Sequence, residues 1–207
     1  MLFRSVTEPH LDARAPLRDR PTRISYTQLA LFAWLMYGLG AANALLRDDQ
    51  GTSRTMSGLH GTSVAAAGVL SGLVASRLIS ALGRGLMLRL SAIGVVVGVV
   101  VYTWPDAGYA MTMAGSFLIG MFGTFVVISV NAFLIAHQGA GGPSSLSEAN
   151  ALAALAGLIA PLAIGAAAAT VLGWRTGILL AAGGMVAVEI WRGRSTSVYG
   201  EAGASAQ

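Results

Sequence analysis

An all-α, polytopic membrane bundle of six helices is the fold class this sequence predicts, and three observations predict it. Of 207 residues, 55% are hydrophobic and only 11% charged, whereas a soluble domain carries about 25% charged residues. The apolar residues gather into six long runs, most near the ~20 residues that span a ~30 Å hydrocarbon core. The arginines border those runs rather than interrupt them, as the cost of charge at bilayer depth requires.

The formal charge of +4 would suggest nucleic acid in a soluble chain. Here membrane topology accounts for the arginines, and no nucleic-acid partner is expected. The chain has no lysine and no cysteine, which excludes disulfides, thiolate nucleophiles and cysteine-ligated metals.

The opening MLFRSVTEPH is too short an apolar run for a cleaved signal peptide, and Pro9, Pro16 and Pro21 interrupt a mixed-charge segment ahead of the first long apolar run. Residues 1–25 are expected to be a cytoplasmic tail, 26–191 a six-span membrane domain, and 192–207 a second cytoplasmic tail. The first span covers 26–46 and ends at Arg47, Asp48 and Asp49. The second covers 58–78, with Thr55 or Ser57 as its cap. A turn at Gly83-Arg84-Gly85 comes next, and with Arg77 and Arg89 it sets three arginines between two apolar runs. That placement marks an inner hairpin.

The third span, 86–104, is rich in valine, but its continuous apolar length favours a membrane helix over strands. Trp104-Pro105-Asp106 marks an interface and a turn. A longer fourth span covers 109–136, and the run HQGAGGPSSLS over 137–147 is expected to be a loop. The fifth span, 148–170, contains Pro161, which favours a bend. Gly173-Trp174-Arg175 makes a tight connection to a short sixth span over 176–191. Six crossings put both termini on one side. Ten of the thirteen arginines fall there, against Arg47, Arg54 and Arg175 opposite, so both termini are expected in the cytoplasm of a multi-pass cell-membrane protein.

Gly68 and Gly72, Gly94 and Gly98, and Gly157-xxx-Pro161-xxx-Gly165 place small surfaces four residues apart, suited to close helix packing within the bundle or across a dimer. Gly83-Arg84-Gly85 lacks the following Lys-Ser/Thr of a phosphate loop. Asn43, Asn131 and Asn150 are uncharged polar groups that either face a cavity for a small solute or tie helices together. His60 is either proton-responsive or an interfacial hydrogen-bonding residue, and His137 stands in the same position at the other boundary. Glu148, with Asn150, either caps the fifth helix or belongs to an inner gating network. Arg77 and Arg84 are surface anchors or inner-gate residues, and Glu189 near Arg192 is an interfacial charge. No span carries a central acid or base. The histidines are far apart, metal-ligand spacing is missing, and there is neither a triad nor a paired set of acids. No enzyme activity, metal or cofactor is expected.

Taken in order, these residues resemble the N-terminal six-helix half of a major facilitator superfamily transporter. Gly72, Ser76 and Arg77, then Gly83-Arg84-Gly85 with Arg89, resemble the family's motif between its second and third helices, with Ser76 in place of an aspartate and a displaced spacing. Asn43, the run Ser57-Gly58-Leu59-His60-Gly61-Thr62, Asn131-Ala132 and Glu148-Ala149-Asn150 resemble the sugar and drug permease branches. Gly157, Pro161 and Gly165 resemble the bendable fifth helix, and Gly173-Trp174-Arg175 the outer connection into the sixth. The resemblance covers about residues 25–193. It implies secondary transport of a small solute by alternating access around a midplane site shared by two such halves. It implies a cavity lined by Asn43, Asn131 and Asn150, a gate involving Ser76, Arg77, Arg84 and Glu148, and a proton-responsive His60. One half alone is compatible with a homodimer, with a separately encoded second half, or with a truncated transporter. A non-transporting membrane accessory is the alternative role.

Overall fold

A computed structural model describes residues 15–194 and 197–200. The expected tails therefore lie partly outside the described residues, at 1–14, 195–196 and 201–207. The described chain is all-α, with six helices in order: α1 (Arg20–Gln50), α2 (Arg54–Leu82), α3 (Arg84–Tyr102), α4 (Tyr109–Gln138), α5 (Gly142–Ala168) and α6 (Gly173–Arg192). Four helical stretches are long and apolar enough to cross a membrane by length and composition: α1, α2, α3, and the stretch Tyr109–Ala168 that joins α4 to α5.

Local chemistry sets the helix ends, and several differ from expectation. α1 begins at Arg20, well before Tyr26, because Asp19 caps it by accepting from the Thr22 amide at 3.1 Å and Pro21 fits the first turn. It stops at Gly51, whose φ of 62° suits a left-handed C-cap. Ser53, rather than Thr55 or Ser57, caps α2 by accepting from the Met56 amide. The inner turn contracts to the single residue Gly83, with φ 79°, so Ser76 and Arg77 lie inside α2 and Arg84 opens α3.

The expected loop at 137–147 is also corrected. Gly139–Gly141 forms one 3-10 turn, and α5 starts at Gly142 with Pro143 in its first turn. α5 continues as helix through Pro161.

α1 packs along α5 and α6, α3 along α4 and α6, and α2 along α4. Their shared core runs through Leu35, Leu88, Val95, Ile119, Val130, Ile164 and Met185. Glycines permit the closest approaches: a Cβ on Gly120 would lie 2.5 Å from the Val64 carbonyl oxygen, and one on Gly115 2.6 Å from the Tyr102 nitrogen. The expected packing role holds for Gly94 and Gly98 against α4 and for Gly157 against Tyr37, whereas Gly72 and Gly165 face open space.

Coverage is uneven. α2 buries only His60, Ala67, Ser71 and Ala75. The outer face of α5 leaves Leu155, Leu158 and Leu162 exposed.

Candidate functional site

α1, α4 and α5 enclose an open groove of about 340 Å³, within the range of small-molecule sites. Phe32, Met36 and Tyr37 line it from α1, Val127 from α4, and Asn150 and Ala153 from α5. The ~3.6-residue helical period brings these α1 positions onto one stripe. Phe32 can lie against α4 because Gly123 has no Cβ; one built there would sit 1.8 Å from the ring. Gly157 likewise lets the Tyr37 ring lie on α5.

The polar groups at this groove are few. Asn150 Nδ2 donates to the Leu146 carbonyl at 2.8 Å, leaving its Oδ1 toward solvent-accessible space. The Tyr37 hydroxyl makes no hydrogen bond to another described residue, and Tyr37 is 62% exposed. One turn beyond Val127 on α4, Asn131 Oδ1 is buried without a hydrogen-bond partner among the described residues. A buried unpaired amide oxygen is costly unless something donates to it. Asn131 is not among the residues lining the groove, so Tyr37 and Asn150 supply its hydroxyl and amide to an otherwise apolar wall, a composition suited to hydroxyl or amide groups of an uncharged solute.

Asn43 is elsewhere. Its Oδ1 accepts from the Tyr102 hydroxyl at 2.6 Å, while its carbonyl accepts from Ser57 Oγ at 3.1 Å, so it ties α1 to α2 and α3.

His60 is buried on the opposite side of α2 from solvent, 2% exposed. Its Nδ1 meets the Ser57 carbonyl at 3.2 Å and its Nε2 the Thr112 hydroxyl at 2.9 Å. A carbonyl only accepts, so Nδ1 carries the proton; Nε2 faces the Thr112 hydroxyl, whose one proton also has the Tyr109 carbonyl within reach at 3.0 Å. The Tyr109 ring stands edge-on at 5.2 Å. His60 is thus held between α2 and α4 and lies outside the groove.

Four gate candidates do not converge. Ser76 and Arg77 are exposed on α2. Arg84 Nε donates to the Tyr199 carbonyl at 3.1 Å. Glu148 lies well inside α5, so it caps no helix end; Arg18 pairs with it at 2.7 Å and the Tyr26 hydroxyl donates to it at 3.3 Å. Residues 17–19 are strapped to the α4–α5 corner: Gln138 exchanges two hydrogen bonds with the Leu17 backbone, and His137 meets Asp19 at 2.7 Å. Partial burial pushes the Asp19 carboxyl upward, but hydrogen bonds from Thr22 and His137 outweigh it and hold Asp19 below its ordinary value. The Glu148 hydrogen bond raises Arg18 above its ordinary value.

A second polar cluster is built from residues far apart in sequence. The Arg192 guanidinium is fully covered, donates to Gln28 Oε1, and lies over the Tyr199 ring at 4.8 Å. Gln28 in turn donates to the Leu88 carbonyl at 3.2 Å. Glu189 lies 3.4 Å from Arg192 and 3.5 Å from Arg89. At the other end, Asp49 pairs with Arg175 at 2.8 Å and accepts from the Trp174 indole at 3.0 Å, joining α1 to α6.

No family model and no curated protein matches this chain.

Tyr37, Gln28 and the Arg89–Glu189–Arg192 cluster are absent from the sequence expectations as site residues. Tyr37 has a usable signal: it is a hydroxyl within an apolar stretch, one turn from Ala33 on the same helix face. Gln28 and Arg192 are separated by 164 positions, and no local pattern connects them.

Proposed function

We propose that the chain is one half of a secondary transporter for a small, uncharged polar solute. All six helices cross the bilayer, α6 included, with both termini in the cytoplasm. A second six-helix unit, either another copy or a separate half, docks on α2 and α5. The solute binds at the α1–α4–α5 groove, and rocking of the two units exposes it to each side alternately.

The observation that carries this reading is the half-open groove, whose apolar wall holds Tyr37 and Asn150 and is bordered by the sparsely covered helix α5. Exposed Gly58, Gly61 and Gly72 on α2, with Gly165 on α5, have no described residue within 4 Å of where a Cβ would stand and would let partner helices approach closely. Binding needs no metal or cofactor in this scheme, and no bond in the solute is broken.

Ser76 and Arg77, on the exposed side of α2, would meet the second unit at the inner gate. Arg84 and Glu148 would act one step back, by anchoring the C-terminal segment and the N-terminal strap. His60 supports the α2–α4 contact on which rocking depends.

Proteoliposome uptake of labelled monosaccharides and polyols, with the chain alone and with candidate second halves, tests the reading. Flux that falls at least tenfold in Asn150→Ala and Tyr37→Phe is expected. Solute binding without flux in every pairing would instead favour a non-transporting accessory.

A further inference from the structure

A second groove, of about 450 Å³, runs between α3 and α6, with no residue of α2 or α5 in its walls. Ile93, Val96 and Val97 wall it on one side and Met185, Val186 and Ile190 on the other. Its far walls are open to the surroundings, with Ile93 52% and Ile190 75% exposed. At membrane depth such a channel holds hydrocarbon, because water there would face no polar partner.

One end of the channel is charged. Arg89, Glu189 and Arg194 line it. Arg89 is engaged, donating to the Gly193 carbonyl and lying 3.5 Å from Glu189. Arg192 stands behind Glu189, fully covered. Arg194 is exposed and forms no ion pair or hydrogen bond with the described residues. Among the described residues at this mouth, three arginines therefore face one glutamate, and the unspent charge is positive. Trp191, 41% exposed, sits at the same level, where an indole suits the headgroup region.

We propose that the α3–α6 groove is a specific site for one anionic phospholipid, with an acyl chain along Ile93, Val97, Val186 and Ile190 and the headgroup phosphate at Arg194. Arg89, fixed by Gly193 and Glu189, orients the mouth. The lipid staples α3 to α6 at the end where their polar cluster is buried. This site is separate from the solute groove and needs only that the chain be embedded in a bilayer, so it stands or falls apart from transport.

The test uses the full chain in nanodiscs of equal phosphatidylglycerol and phosphatidylcholine, released into mild detergent and weighed by native mass spectrometry. The wild type should retain phosphatidylglycerol preferentially. Arg194→Gln should reduce that preference about fivefold, the worth of one interfacial arginine, while Arg54→Gln at the opposite end leaves it unchanged. Val97→Trp, which fills the channel, should lower retention of both lipids with helical content intact. Excess glycerol 3-phosphate should not compete. Equal retention of the two lipids by the wild type, equal effects of the two arginine variants, or displacement by glycerol phosphate would each overturn the proposal.

Discussion

His60 has both ring nitrogens committed, one to its own helix and one to Thr112 on α4. Removing the ring breaks the hydrogen bond between α2 and Thr112 and opens a cavity between Tyr102 and Tyr109. His60→Ala should therefore cost about 2–4 kcal/mol, combining the lost buried hydrogen bond with the cavity, read as a lower thermal midpoint in detergent. Asp19 makes a different kind of contact. Its carboxyl is held below the ordinary value of about 4, so its contribution is present above that pH and is lost as pH falls through the depressed folded value. Protection of the Thr22 and Arg23 amides, taken relative to the intrinsic exchange rate at each pH, should fall in acid, and Asp19→Ala should show the reduced protection already at neutral pH. Asp19→Asn, which still caps, should retain most of the protection.

Among the elements, the α2–α4 seam brings backbone against backbone, since Gly120 abuts the Val64 carbonyl and Ser71 Oγ donates to the Met121 carbonyl at 3.0 Å. Backbone cannot yield as a side-chain end can. Gly120→Val should cost about 1–3 kcal/mol through overpacking, whereas Gly72→Val, on the open face of α2, should leave the isolated chain's thermal midpoint nearly unchanged. The helices themselves were legible in the apolar runs, because length and burial of backbone polar groups leave few alternatives at bilayer depth. Their ends were less so. Pro143 and the surrounding glycines and serines resemble a loop, yet proline suits a first helical turn, and that moved Glu148 and Asn150 from a helix start to the body of α5. Of the candidate site, Asn150 could be picked out as a polar group in an apolar span. Asn43 carried the same signal, and only tertiary geometry separates it, through Tyr102, from the groove. The Gln28–Arg192 contact was hidden for the same reason.

At the scale of the whole molecule, the distribution of coverage carries the functional proposal. α3 and α4 bury much of their length, while α2 and α5 keep long apolar faces and unoccupied glycines. Such faces suit either lipid or a partner, and the groove between α1, α4 and α5 gains a second wall only from a partner. The natural absence of cysteine makes the distinction measurable with single introduced thiols. Single cysteines at Leu73 and Leu158, both about 70% exposed, should be shielded from a bilayer-soluble maleimide and should cross-link to a second polypeptide in native membranes. Val100→Cys on α3 should label freely. Labelling of Leu73→Cys and Leu158→Cys as rapid as that of Val100→Cys, with no cross-linked product, would contradict a second half covering α2 and α5.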